Sequence, residues 1–241
     1  MPKVIEQAPW MTEGEDKRRE VQKMFSDIAP SYDLVNSLLC FRMHYRWRQR
    51  AVTMLNLQPG ESALDLCCGT GDFLPPLRKA VGESGTVVGL DFCEPMLTIA
   101  QTKMGDVAEL SLADACQLPI TSGRFDAVTV GWGLRNVPKI EDALREAERV
   151  LRPGGRFISL DMARPRGKVV GRVSEWVFHV VAPAMGRLFG KTRAYQYLPK
   201  STLKFKSREE LVQMMQDAGF ENVRYRDLFF GNICMHWGTK P

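Results

Sequence analysis

The stretch LDLCCGTGDF, residues 64–73, decides the fold. An apolar run, SALDLCC (62–68), passes directly into glycines and then into a helical pattern. A strand that turns through glycine into a helix brings backbone N–H groups and the positive helix end close to a polar ligand. Gly69 and Gly71 make a G-x-G only, because Leu74 stands where a dinucleotide fingerprint has its third small residue. Cys67 and Cys68 raise metal or redox chemistry as the alternative. With both in the strand, their side chains point to opposite faces and do not converge on one ion. The six cysteines, at 40, 67, 68, 93, 116 and 234, contain no C-x-x-C pair, and no metal is expected.

Further strand-like runs follow at TVVGLDF (86–92), ELSLAD (109–114), FDAVTVGW (125–132) and RFISLDMA (156–163). Helical patterns lie between them, at EPMLTIAQTKM (94–104) and IEDALREAERVL (140–151). In the second, Ala143, Ala147, Val150 and Leu151 mark an inner face. Such alternation predicts an α/β fold, a mostly parallel sheet with helices on both faces. Ser207 and Glu210 predict a capping box opening a helix over 207–220, which Gly219 stops. NVRYRDL (222–228) and NICMHWG (232–238) read as an antiparallel pair. Residues 17–55 read as a helical extension outside the sheet, residues 1–16 as a flexible polar tail, and 17–241 as one domain. Pro75 and Pro76 predict a kinked helix after the loop.

A hydrophobic content of 44% and a charged content of 25% are those of a soluble globular protein. No window approaches the roughly 20 apolar residues of a membrane span, and the start lacks an apolar signal core, so a cytoplasmic location is expected. The net charge of +5 is unevenly placed. Between Arg164 and Arg193 there are seven Lys/Arg and one acid, Glu175, which leaves about −1 for the rest of the chain. That asymmetry suits an anionic partner, membrane or nucleic acid. Val170, Val173, Trp176, Val177 and Val180 recur at helical spacing within this region. Residues 164–200 are therefore expected to form a basic cap over a substrate pocket, either as a cap alone or as one that also makes peripheral contact with the inner face of an anionic membrane. Interleaved Val, Trp and Phe without stacking platforms argue against nucleic acid.

Three acids stand at or near the ends of successive strands. Asp91 lies twenty residues after Gly71, where an acid accepts hydrogen bonds from ribose hydroxyls. Asp114 is placed to accept from an adenine amino group. Asp65 either holds the loop or receives a ligand's amino group. Together they point to a ligand crevice at the carboxyl edge of the sheet.

The set LDLCCGTGDF, GLDF-x-E-x-ML, AD-A-x-x-LP, FDAV and RVLRPGGR, with a late hairpin, resembles the class I S-adenosylmethionine methyltransferases. That resemblance implies a Rossmann-like, seven-stranded sheet of order 3-2-1-4-5-7-6. FSDIAPSYDLVNSLL (25–39), HYRWR (44–48), GLRNVP (133–138), YQYLPKS (195–201), ELVQMMQDAGF (210–220) and HWGTK (236–240) resemble the C-methyltransferases of menaquinone and ubiquinone biosynthesis. The resemblance implies methyl transfer from S-adenosylmethionine to a ring carbon of a prenylated hydroquinone, naphthoquinol or benzoquinol, leaving S-adenosylhomocysteine. It is compatible with a homodimer or a complex of quinone-synthesis enzymes. O- or N-methylation of another small aromatic molecule is the nearest alternative. An NAD-dependent oxidoreductase is opposed by the missing third glycine.

By the same resemblance Thr70 and Asp91 touch the cofactor, Asp114 and Ala115 flank its adenine, and Gly131 meets it through backbone. With Asp65, Gly69 and Gly71 these are the cofactor-site candidates. Arg135 and Asn136 are candidates for stabilising a developing phenolate and positioning water, with a structural salt bridge as the alternative for Arg135. An arginine pKa above about 12 excludes Arg135 as the base. Tyr32 and Asp33 are expected to close over the cofactor. His44 is expected either to reach a substrate hydroxyl or to lie on a helix surface. His236 is a weaker base candidate, and His179 lies in the basic region away from any site. Trp132 is either a ring-stacking wall or core. Phe229, Phe230 and Asn232 depart from the paired-glycine turn usual in this family.

Overall fold

The computed structural model describes residues 14–167, 171, 172, 197 and 201–241. Seven strands form one sheet of order β3-β2-β1-β4-β5-β7-β6. They are β1 (Ser62–Leu66), β2 (Thr86–Asp91), β3 (Glu109–Leu112), β4 (Phe125–Gly131), β5 (Leu151–Met162), β6 (Glu221–Leu228) and β7 (Ile233–Thr239). The pairs among β3, β2, β1, β4 and β5 are parallel, and β7 runs antiparallel between β5 and β6. The order reverses between β1 and β4, which opens a crevice at their carboxyl ends.

Alternating residues send their side chains to opposite faces and build two cores. Leu64, Leu66, Val128, Val130 and Phe157 pack on α5 (Ile140–Val150) and α6 (Arg208–Asp217). Ala63, Val87, Ala127, Ile158 and Met235 pack on α2 (Met43–Leu55) and α3 (Leu74–Val81). On α2, His44, Trp47, Arg48, Ala51, Val52 and Leu55 form the buried stripe at helical spacing. α1 (Gly14–Leu39) packs against α4 (Glu94–Met104) over the carboxyl edge of the sheet.

Several boundaries differ from the sequence reading. β1 ends at Leu66, because Cys67 adopts φ 53° and leaves the strand. The separation of Cys67 from Cys68 therefore comes from this left-handed turn and not from strand alternation. Pro75 and Pro76 occupy the first turn of α3, where N–H groups lack intrahelical partners anyway, so they start a helix and do not kink one. α1 already begins at Gly14, within the stretch read as tail. Most of the basic cap, with His179, lies outside the described residues. Among the described residues no helix is long and apolar enough to cross a membrane.

The capping box of α6 is present in full. Ser207 Oγ accepts from Glu210 N at 3.2 Å, and Glu210 Oε2 accepts from Ser207 N at 2.7 Å. Ser207→Ala is expected to cost about 1 kcal/mol. Thermal unfolding should show a drop of about 2–4 °C in a chain of this size.

Candidate functional site

The crevice has two adjoining lobes of about 370 and 420 Å³ that share Cys67, Asp91, Phe92, Asn136 and Val137. The first is walled by Arg18, Ala113, Asp114 and Ala115. The second is walled by Phe25, Tyr32, Gly69, Met96, Gly131 and Trp132.

Asp91, the last residue of β2, is the pivot between the lobes. Its Oδ2 accepts from Gly69 N at 2.8 Å and its Oδ1 from Cys93 N at 2.9 Å. Burial pushes its pKa up to about 6 against these backbone bonds. Asp114 lies two residues beyond β3, where Oδ1 accepts from Cys116 N at 2.9 Å and Arg18 Nε stands 3.6 Å from Oδ2. Carboxylates at these two points face the lobes with acceptor oxygens, as a ribose diol and an adenine amino group require.

The glycines divide the work. Gly69, at φ 55°, has open space where a Cβ would stand, so its backbone faces the crevice unobstructed. Gly71, at φ 88°, packs the loop on Leu74 and α4, where a Cβ would meet Met104 at 3.2 Å. Gly131 allows Phe73 to approach, since a Cβ there would lie 2.7 Å from its ring. The narrow, backbone-lined floor and the acceptor pair fit an adenosyl ligand.

Other candidates are placed differently. Asp65 is buried beneath the loop and accepts from the Thr129 hydroxyl at 2.6 Å. Burial raises its pKa to about 7, against the Thr129 bond. It holds the β1–β4 junction and is absent from the lining of both lobes. Thr70 turns its hydroxyl away to Asp33 Oδ1 at 2.5 Å. That bond tethers the loop to α1. Asp33 also receives Lys103 Nζ at 2.5 Å, so it clamps α1 to the loop and to α4.

Tyr32 lines the crevice and packs its ring edgewise on Phe25. Burial raises its pKa, and the cations Arg48 and Arg135 oppose that rise. The Arg135 side chain is 7% exposed and ion-paired with Asp161, the penultimate residue of β5. Asn136 donates to Trp132 O at 2.8 Å and accepts from Tyr197 Oη at 2.9 Å. Both side chains of the GLRN turn are thus committed to protein partners.

His44 is neither on a helix surface nor open to a substrate. It is buried, and its Nδ1 accepts from Arg48 Nη1 at 2.8 Å. Burial, then Arg48, holds its pKa down to about 4, so the ring is neutral. His236 sits on β7 beside Arg208 and Tyr225, on the far side of β5 from the crevice, with a pKa of about 4 imposed by burial. Neither histidine serves as base at the crevice. Burial lifts the thiols of Cys67 and Cys68 well above their usual range. Cys67 packs against Gly133 and Cys68 against Gly89.

Arg48 and Asp161 were missed as functional residues. Arg48 stacks over Trp132, its guanidinium carbon 4.6 Å from the ring centroid, and its buried Nε has no hydrogen-bond partner. A charged residue on the apolar stripe of α2 was a readable signal. So was an acid near the end of strand five, the same signal that marked Asp91.

The model of the ubiE/COQ5 methyltransferase family matches residues 11–240. Demethylmenaquinone methyltransferases of Staphylococcus aureus strains JH9 and Newman are 40% identical over 233 residues, 95% of this chain and 97% of theirs. Among solved structures, an S-adenosylmethionine-dependent methyltransferase from Thermotoga maritima superposes with a TM-score of 0.66 at 23% identity, covering 92% of this chain and all (100%) of that one. One from Aquifex aeolicus gives 0.61 at 18% identity, covering 83% of this chain and 93% of its own. These two share the fold.

Asp65 and Asp91 have folded pKa values of about 7 and about 6, above the roughly 3.9 of an unfolded aspartate. The folded state therefore holds extra protons between these limits. The stabilisation is complete below about pH 4 and is lost as pH rises through 6 to 7. His44 and His236 act oppositely as pH falls below about 6.5, so the comparison must be against a variant. Asp65→Asn, which keeps the acceptor for Thr129, is expected to lose less melting temperature than the unsubstituted protein between pH 6 and pH 8. Parallel curves would reject the buried proton.

Proposed function

Because the chain belongs to the ubiE/COQ5 methyltransferase family, we propose that it methylates a ring carbon of a prenylated quinol, demethylmenaquinol first among them. Identity of 40% to demethylmenaquinone methyltransferases, spanning 95% of the chain, carries this reading. That span includes the segments outside the cofactor fold: the helices before the sheet, the GLRN turn and the final hairpin. The enzyme is an S-adenosylmethionine-dependent methyltransferase, and its crevice fits that ligand as described above. Gly69, Asp91, Asp114, Ala115 and Gly131 would hold it. When bound, S-adenosylmethionine supplies a methyl group already activated by its sulfonium.

The chain's own task is alignment, exclusion of water and stabilisation of negative charge on the quinol oxygen. A ring carbon becomes nucleophilic as the neighbouring hydroxyl ionises. Tyr32 stands at the crevice wall under the influence of two buried cations, Arg48 and Arg135. A quinol oxygen hydrogen-bonded to Tyr32 would feel the same positive field, which favours the phenolate. Arg135, paired with Asp161, works here as a fixed charge and not as a free donor. Trp132, held by the stacked Arg48, offers a flat wall for the quinol ring. After transfer the ring carbon sheds its proton to restore aromaticity. With both histidines buried and hydrogen-bonded to protein partners, a water in the crevice is the acceptor this reading requires.

Incubation with methyl-labelled S-adenosylmethionine and reduced demethylmenaquinone should give a product heavier by one labelled methyl on ring carbon. Label found on oxygen would overturn the C-transfer reading. Asp91→Asn should weaken cofactor binding about 10- to 100-fold by calorimetry, as expected when a charged hydrogen-bond acceptor is lost. Unchanged affinity would remove Asp91 from the ligand site.

Tyr32→Phe removes only a hydroxyl. It is expected to lower kcat by about 10- to 100-fold, at the lower end of what one positioned proton-transfer or hydrogen-bonding group contributes. Cofactor affinity should stay within about twofold. Equal kcat values would exclude Tyr32 from the chemistry.

A further inference from the structure

Two surface turns hold aromatic rings out into solvent on backbones that ordinary residues avoid. In the turn between α1 and α2, Phe41 and Arg42 have φ 47° and 58°. In the turn between β6 and β7, Phe229 and Phe230 have φ 44° and 56°. Bulky residues rarely occupy this left-handed region, and where they do the site is commonly functional. Phe41 is 79% exposed and Phe230 78% exposed. Leu34 and Leu38 on the last turns of α1, and Met54 on α2, add exposed apolar surface. For a folding argument these rings are on the wrong side, since they forgo burial and keep the strain.

Charge accompanies them. Residues 34–60 contain Arg42, Arg46, Arg48 and Arg50 and no acidic residue. Arg42, Arg46 and Arg50 are exposed; Arg46 and Arg50 lie on the side of α2 away from its buried stripe, and Arg42 immediately precedes the helix. Apolar rings beside an arginine row match an anionic bilayer, in which rings enter the headgroup boundary and guanidinium groups meet phosphate.

The exposed rings also lead inward. Phe230 lies 5.9 Å from Phe229, Phe229 5.6 Å from Trp47, and Trp47 6.4 Å from Trp132, each between ring centroids. Trp132 is a wall of the crevice. A continuous series of rings thus joins the solvent face to the reaction chamber.

We propose that the α1–α2 turn and the β6–β7 turn form a docking face for an anionic lipid bilayer. The docking face does not rest on the prenylated-quinol reading. The face differs from the basic region at 164–200, and it uses the Phe229–Phe230 pair that departs from the usual glycine turn.

The test compares three proteins: the unsubstituted chain, Phe41→Asn/Phe230→Asn, and Arg42→Gln/Arg46→Gln/Arg50→Gln. Asparagine accepts the left-handed backbone, so the first variant keeps its fold. Equal melting temperatures and equal cofactor affinity check this. Co-sedimentation with phosphatidylcholine vesicles containing phosphatidylglycerol should show binding by the unsubstituted chain. Either variant should lose about tenfold or more, the order expected for two rings or three cations at a bilayer surface. The arginine variant should also lose the preference for vesicles with phosphatidylglycerol over those without. Turnover of a short-chain, water-soluble quinol should be equal in all three proteins. Turnover of a long-chain quinol embedded in vesicles should fall in both variants. Vesicle binding equal among the three, or absent from all, overturns the docking face. Intact docking variation with no methylation of either quinol would instead overturn the substrate reading and leave the docking face standing.

Discussion

Asp91 is the constraint on which the crevice depends. One carboxylate oxygen holds Gly69 of the first loop and the other holds Cys93 at the start of α4. The loop is left-handed at Cys67, Gly69 and Gly71, and such a backbone needs an external tie to stay in one shape. An isolated buried carboxylate would be costly, and its raised pKa shows the cost. The two backbone donors lower that cost without closing the remaining lone pairs to a ligand. Glycine at 69 is required because a side chain would project into the space this arrangement leaves open.

α1 completes the enclosure by a different kind of bonding. Lys17 Nζ donates to Val137 O at 2.7 Å, Gln22 Nε2 to Phe92 O at 2.9 Å, and Asp33 joins Thr70 and Lys103. Among the described residues, the apolar packing under this helix includes two small clusters around Phe25, Ile28 and Met24. α2, by contrast, is sunk into one of the main cores. Polar ties exchange with water at small net cost, while buried apolar area does not. α1 therefore belongs to the low-stability end of the molecule, where a helix over a binding crevice must be if ligands are to pass.

The strand–helix alternation and the acidic edge were legible because they are local patterns, whereas the sheet order came only with the resemblance to the class I methyltransferases. Legibility failed where a residue's partner comes from a distant element. Thr70 reads as a ligand contact in its loop, but Asp33, thirty-seven positions earlier, claims its hydroxyl. Arg135 in GLRN reads either as a donor to substrate or as a salt bridge, and only the next strand, which supplies Asp161, decides for the pair. His44 reads as surface or substrate-facing until the α2 stripe places it inward. Strand β5 begins at Leu151, five residues before the RFISLDMA run, because Arg152, Pro153 and Gly154 are exposed and carry no apolar alternation.

The buried arginines explain why the site needs no ionised histidine. Each guanidinium stays charged at any pH the protein meets, so the field at Tyr32 does not titrate away. Asp161 balances Arg135 closely, and that pair projects a dipole more than a full charge. Arg48 is balanced more loosely: Asp72 stands 3.6 Å from Nη1, and His44, at 2.8 Å, is neutral. The aromatic faces of Trp132 and Phe73 supply the remaining stabilisation through their quadrupoles, which cost the cation none of its charge. More of Arg48's field thus escapes toward the crevice than Arg135's does. If both act on the quinol oxygen, Arg48 is the stronger of the two despite lying behind Trp132 and outside the motif that first drew attention to Arg135.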